Sequence, residues 1–84
     1  MKAYKILFTA VAVKDTKKLT NQLKNKLKEM LFSLSKNPYI GKRLLGDLKG
    51  YYSLRLTLKD RVVYSIDEKL STIYIHRTKT HYGN

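Results

Sequence analysis

The amino-acid sequence predicts an α+β fold of two layers: an N-terminal strand, two helices, then a three-stranded antiparallel meander. Three observations carry this. Apolar residues recur at helical spacing over residues 20–35, they alternate with polar ones from residue 51 onward, and the helical pattern precedes the strand patterns. The chain has 84 residues, and a fold of that size buries only about 60% of the surface its unfolded chain exposes, so one domain spanning 1–84 is expected. A 43% hydrophobic content with one Pro and four Gly describes a folded chain rather than a linker.

Tyr4 to Thr9 reads as a short first strand, after which the Thr9 hydroxyl caps a brief helix through about Lys18. From Thr20 to Ser35 the helical signal is stronger. Leu23, Leu27, Leu31 and Leu34 fall on one stripe, with Lys24, Lys26, Lys28 and Glu29 on the other positions, so that stripe and Met30 are expected to pack into the core. Asn37 and Pro38 end this helix, because proline has no amide to donate. Tyr39 to Gly50, with Gly41, Gly46 and Gly50, reads as loop and approach to a strand.

Between Tyr51 and Leu58 the even positions Tyr52, Leu54, Leu56 and Leu58 are apolar and face inward, while Tyr51, Ser53, Arg55 and Thr57 face outward. Val62, Tyr64 and Ile66 continue the inward face in the next strand. Cross-strand partners share a face, so their numbers must sum to an even value; a two-residue turn at Lys59 and Asp60 cannot satisfy this. A three-residue loop of Leu58, Lys59 and Asp60 pairs Thr57 with Arg61 and Leu56 with Val62, and makes Arg55 and Arg61 diagonal neighbours roughly 7 to 8 Å apart. The last strand, Thr72 to Arg77, points Ile73 and Ile75 inward and Thr72, Tyr74 and His76 outward, joined to its predecessor by an even loop within Asp67 to Ser71. The N-terminal strand lies at an edge or beside the centre. The open face then carries Tyr51, Arg55, Arg61, Tyr74 and His76, and Thr78 to Asn84 run off its end.

Eighteen Lys plus Arg against six Asp plus Glu leave a net charge of +12, which attracts polyanions: nucleic acid, an acidic protein or an anionic membrane surface. All four Arg fall after residue 37, and their planar forks suit phosphate where lysine offers only a mobile point charge. With no Cys and two His lacking the H-E-x-x-H pattern, neither a metal nor another cofactor is expected. No apolar run approaches the roughly 18 residues that span a bilayer. Lys2, Tyr4 and Lys5 interrupt any secretory signal in Met1 to Val13, so a cytoplasmic location is expected.

Arg55 and Arg61, side by side on an open face, repel each other unless an anion lies between them, and their forks could grip one phosphate. The alternative is an ordinary surface ion pair of Arg55 with Asp60 or Asp67. His81 and Tyr82 add a group that exchanges protons near neutral pH and a group that stacks on a base or relays a proton. Together these residues meet the needs of RNA cleavage, in which the ribose 2′-OH attacks the adjacent phosphorus; DNA lacks that nucleophile. Tyr51 and Tyr74 are candidate stacking platforms, while Tyr52 and Tyr64 belong to the inward face.

The run Gly46-Asp47-Leu48-Lys49-Gly50-Tyr51-Tyr52-Ser53-Leu54-Arg55, followed by Asp60-Arg61-Val62-Val63-Tyr64 and Thr80-His81-Tyr82-Gly83, resembles the RelE/ParE toxin superfamily, and the His-Tyr ending resembles its YoeB/Txe branch. The resemblance covers essentially the whole chain. It implies the toxin of a type II toxin-antitoxin pair, an endoribonuclease that cleaves mRNA in the ribosomal A site and is silenced by a cognate acidic antitoxin, with no membrane partner and no DNA bound by the toxin itself. By motif, Arg55 and Arg61 match the strand arginines that bind phosphate, and His81 and Tyr82 match the catalytic and stacking pair. Lys49, Tyr51, Asp47 and Lys42 are expected on the substrate side, with Arg77 and Lys79 as secondary electrostatic candidates. One departure stands out: the branch carries a catalytic Glu in the loop before the meander, where this sequence has Lys42, with Leu45 where a loop lysine would stand. Asp47 substitutes, or His81 acts as base with the lysines assisting, or the Lys and Arg pattern of RelE-like members operates; His81 is the favoured base or acid. Two other functions compete: a ParE-like inhibitor of DNA gyrase, and a non-catalytic basic RNA-binding domain.

Overall fold

The structure, a computed structural model, describes residues 3–80. Strand β1 (Lys5–Phe8) leads into helices α1 (Ala10–Lys17) and α2 (Asn21–Lys36). A 3₁₀ turn at Pro38–Ile40, the short strand β2 (Lys42–Arg43) and a second 3₁₀ turn at Gly46–Leu48 follow, and then β3 (Tyr51–Arg55), β4 (Arg61–Asp67) and β5 (Thr72–Thr80). Both helices begin on a threonine. The Thr9 hydroxyl accepts from the Ala12 amide at 3.1 Å and the Thr20 hydroxyl from the Leu23 amide at 3.2 Å, each satisfying a donor that has no partner within the helix.

The strands form one sheet in the order β1-β5-β4-β3-β2, with β1 parallel to β5 and every other pair antiparallel. The expected meander is therefore the centre of a five-stranded sheet, flanked by the N-terminal strand at one edge and at the other by β2, which lies in the stretch the sequence reads as loop and approach to a strand. Leu27, Leu34, Leu56, Val62, Tyr64, Ile73 and Ile75 bury fully between sheet and helices, with Leu23, Met30 and Leu31 packed against them as the helical stripe requires.

The β3–β4 connection differs from expectation by two residues. Arg55 pairs directly with Arg61, Leu54 with Val62 and Ser53 with Val63, so the loop runs from Leu56 to Asp60. The physical reason lies in Thr57, whose hydroxyl accepts the amides of Lys59 at 3.0 Å and Asp60 at 2.9 Å, closing a wider turn than three residues allow. Leu58, expected inward, sits at the tip with 91% of its surface exposed. Thr72, expected on the open face, is buried with its hydroxyl donated to the Leu70 carbonyl.

Strand β5 also runs three residues further than its pattern predicts. Tyr64 pairs with Ile75 but Val63 with Arg77, and Arg61 pairs with Thr80, so β5 twice places an extra residue against β4. His76 is the extra residue of the first bulge. Past it the alternation changes parity: Thr78 turns into the interior and shares a 2.8 Å hydrogen bond with the Thr16 hydroxyl of α1. The buried Asp15 of α1 accepts the Thr78 amide at 3.1 Å and two donors of the Arg77 fork, Nε at 2.7 Å and Nη2 at 3.3 Å. Burial by itself would raise the Asp15 pKa, but the hydrogen bond from Arg77, the Thr78 amide, the Arg77 charge and the Lys79 amide outweigh it and hold the carboxyl below its ordinary value.

At the other end of the sheet Tyr64 ties the loop before β2 to the core. Its hydroxyl donates to the Pro38 carbonyl at 2.8 Å and accepts the Gly41 amide at 3.0 Å, and its ring stacks on Tyr52 at 5.5 Å. Burial pushes the phenol up to about 12, so it remains a donor at ordinary pH. A side chain at position 41 would run into the Tyr64 hydroxyl and meet the Ser53 carbonyl at 3.0 Å, which is why a glycine stands there.

Two predictions follow from these contacts. Gly41→Ala should destabilise by about 1–3 kcal/mol through overpacking against Tyr64, and Tyr64→Phe by a similar roughly 1–3 kcal/mol for the orphaned Gly41 amide; urea unfolding of both variants checks this. Asp15→Asn should cost about 1.5–3 kcal/mol at neutral pH, since it removes hydrogen bonds to a charged acceptor. A carboxyl whose folded pKa lies below its unfolded value of about 3.9 stabilises fully above that value and loses this contribution as pH falls through the folded pKa. The difference between wild type and Asp15→Asn should therefore shrink from pH 5 toward pH 2, both limits being on the order set by that linkage. A constant difference over that range would mean that Asp15 does not titrate with unfolding.

Candidate functional site

The sheet face away from the helices is built in rows across the strands. The outermost row joins Arg55, Arg61 and Thr80. As a directly opposed pair rather than the diagonal neighbours expected, the two arginines leave the same face with their α-carbons about 4.5–5.5 Å apart, as antiparallel pairing dictates. Arg61 Nη1 donates to the hydroxyl of the buried Ser53 at 3.2 Å, which fixes one edge of its guanidinium and leaves other donors for a ligand. Arg55 is exposed and, among the described residues, pairs with neither Asp60 nor Asp67. Those acids are used elsewhere: Asp60 faces Lys79 Nζ at 3.9 Å, and Asp67 accepts the Leu70 amide at 3.1 Å. The surface ion pair that the spacing allowed is not formed.

The next row joins Lys42, Ser53, Val63 and Arg77. Because register partners share a face, Lys42 extends the positive strip from the edge strand. Arg77, a secondary electrostatic candidate, is held by Asp15 through two hydrogen bonds. Lys79 is exposed beside Asp60. Asp47 and Lys49 are exposed on the loop that carries the second 3₁₀ turn, whose ends reverse through Gly46 (φ 66°) and Gly50 (φ 98°), backbone conformations that favour glycine.

A third row joins Tyr51, Ser65 and Tyr74. Tyr74 also pairs with Leu7 of β1, which sets it toward the far edge. His76, displaced by its bulge, leans over this row: its Nε2 lies 2.8 Å from the Ser65 hydroxyl, and its ring meets Tyr51 edge to face at 4.9 Å with an interplanar angle of 89°. Burial lowers the His76 pKa, which favours the neutral imidazole. Leu48, Tyr51, Val63, His76 and Arg77 line an open pocket of about 210 Å³. Ser53 and Val63 are both buried on this face.

The structure thus brings Arg55, Arg61, Lys42 and Tyr51 onto one face, and engages Arg77 with α1. His81 and Tyr82 lie outside the described residues. The last described residue, Thr80, pairs with Arg61, so β5 leads the chain to the arginine row. Sequence reasoning placed His76 on the open face but missed its partnership with Ser65 and Tyr51, and it missed Ser53 and Asp15. No local pattern marks a bulge. Among the described residues no group of three or more His, Asp or Glu could hold a metal ion, and no helix is long and apolar enough to cross a membrane.

With this geometry in hand, comparison with known proteins assigns the family. Residues 6–83 match the family described as ParE-like toxin of type II bacterial toxin-antitoxin system. Among solved structures, the toxin-antitoxin complex RelBE2 from Mycobacterium tuberculosis holds a chain 32% identical, with a TM-score of 0.83 over 93% of this chain and 98% of that one. The YoeB-YefM complex from Staphylococcus aureus holds one 30% identical, with a TM-score of 0.80 over 94% of this chain and 98% of that one. The intact RelBE toxin-antitoxin complex of E. coli, at 23% identity, a TM-score of 0.80 and coverage of 93% of this chain and 96% of that one, shares the fold. No curated protein matches. A five-stranded sheet with two helices and a family match over nearly the whole chain agree, and this chain belongs to the ParE-like toxins of type II bacterial toxin-antitoxin systems, within the RelE/ParE superfamily.

Proposed function

We propose that this toxin is a metal-independent endoribonuclease that cleaves mRNA in the ribosomal A site and so inhibits translation. The observation that carries the reading is the directly opposed Arg55 and Arg61, two guanidiniums on an open face with no acidic partner among the described residues. Like charges at about 4 Å cost about 1 kcal/mol in bulk water and about 4 kcal/mol near a protein surface, a cost that a bound phosphate reverses. In the reaction the ribose 2′-oxygen forms a bond to the adjacent phosphorus as the bond to the 5′-oxygen breaks. The products are a 2′,3′-cyclic phosphate and a free 5′-hydroxyl. A base takes the 2′ proton and an acid returns one to the leaving oxygen, roles assigned to His81 with Tyr82 as stacking or relay group. Arg55 and Arg61 neutralise the equatorial oxygens, where charge builds.

Lys42, Lys49 and Lys79 add positive charge to the same reading, and Tyr51 offers a stacking surface. By motif Lys42 stands where the branch carries its Glu, so this reading gives proton transfer to His81, with Asp47 or the Lys and Arg pattern of RelE-like members as the alternatives. The ribosome supplies a polyanionic docking surface for a +12 chain, and a cognate antitoxin of net negative charge would meet the same field. The RelBE2 and YoeB-YefM relatives are toxin-antitoxin complexes, which supports an antitoxin partner here. The cytoplasm, where mRNA is translated, is the site of action this reading requires.

Mapping mRNA 5′ ends in a cell-free translation reaction tests it. Discrete cuts should appear with wild type and ribosomes, vanish on naked mRNA, and fall on the order of 10²- to 10³-fold with Arg61→Ala or Arg55→Ala, the scale for losing one transition-state donor. His81→Ala should abolish cutting while ribosome binding persists. Intact mRNA with the wild-type protein would sink the nuclease reading and direct the next assay to gyrase supercoiling.

A further inference from the structure

Beside the arginine row lies a pocket with more structure than phosphate binding needs. Val63 on its floor is two residues from Arg61 along β4, roughly 7 Å at the rise of a strand. At about 210 Å³ it falls below the roughly 300–1,000 Å³ that drug-sized ligands occupy, so it suits one planar ring rather than a nucleotide. Leu48 and Val63 supply apolar contact, and the perpendicular rings of Tyr51 and His76 supply two π surfaces, so a ring lying flat on one stands upright against the other. The His76 ring is anchored through Nε2 by Ser65, and among the described residues no group hydrogen-bonds its other nitrogen, Nδ1. Tyr51 and His76 are thus a stacking platform and a single polar reader on one short ledge.

We propose that this pocket is a base-recognition subsite: it receives one nucleobase of the RNA strand whose phosphate the Arg55–Arg61 pair holds, stacks it on Tyr51 and reads its edge through His76 Nδ1. The inference rests on the nuclease reading for its biological use and deepens it by locating a source of sequence preference. The occupant is RNA rather than an acidic peptide because the pocket's walls are flat, aromatic and apolar, features that suit a base's π face, while the adjoining cations serve the backbone. Arg77, already held by Asp15, acts here as a fixed wall.

The test has two arms. In the first, 2′-O-methyl trinucleotides, which bind but lack the nucleophile, are titrated into the free toxin while the His76 and Tyr51 ring signals are followed by NMR. Both rings should shift, affinities should differ between central bases by on the order of tenfold, and His76→Phe should keep the stacking shift at Tyr51 while flattening that difference. Trinucleotides that perturb only the arginine row, or a His76→Phe protein with an unchanged base ranking, would overturn the proposal. So would shifts at these rings produced by an acidic peptide and not by RNA. In the second arm, 5′-end mapping on mRNAs randomised at the A-site codon compares wild type with His76→Phe and Ser65→Ala. Relaxed choice at one base position is expected, and an unaltered profile overturns the subsite. Absence of cutting by wild type would count against the nuclease reading, with the first arm still deciding the pocket.

Discussion

Asp15 connects the two layers where the sheet departs from regular geometry. A bulge frees a backbone amide and breaks the alternation of a strand, and a buried free amide costs as much as a lost hydrogen bond. Here the carboxylate of α1 accepts that amide from Thr78 and holds the Arg77 fork as well. Everything downstream depends on this closure. It lets β5 continue to Thr80 beside Arg61, lets Thr78 turn inward against Thr16, and leaves His76 leaning over Tyr51. A single acid in a chain with six therefore does for the last strand what a continuous ladder does elsewhere.

The opposite face stores the complementary tension. Arg55 and Arg61 sit directly across from each other, and among the described residues the one side-chain partner of either fork is the neutral Ser53 hydroxyl on Arg61. An acidic partner would relieve the repulsion and occupy the face. Asp15, Asp60 and Asp67 are instead committed to Arg77, Lys79 and a turn amide. Among the described residues none of these carboxylates forms an ion pair with the arginine row, an arrangement that favours an anion from outside.

Rigid support surrounds that row on both sides. Tyr64 pins the loop ahead of β2 through Pro38 and Gly41, which places Lys42 on the edge of the open face. The 3₁₀ turn between Gly46 and Gly50 presents Leu48 as one wall of the pocket. Charged groups that meet a polyanion and rings that meet a base are in this way mounted on strands or on short, pinned loops, the kind of support that precise recognition needs.

Periodicity and capping determined much of the protein without reference to tertiary contacts. Thr9 and Thr20 as helix caps, the Leu23 to Leu34 stripe, the inward Val62, Tyr64, Ile73 and Ile75, and the outward Arg55 and Arg61 are all local consequences of 3.6- and 2-residue repeats. The short motifs around Gly46 to Arg55 and Asp60 to Tyr64 indicated the superfamily. Register was decided elsewhere. Parity requires only that partners share a face, so a shift of two residues satisfies it equally, and the Thr57 hydroxyl selected the wider turn that opposes Arg55 to Arg61. The two bulges of β5 carry no local signature either. They exist because an acid 62 residues away from Arg77 in sequence accepts the donors they release, and only the packed fold brings α1 to that place.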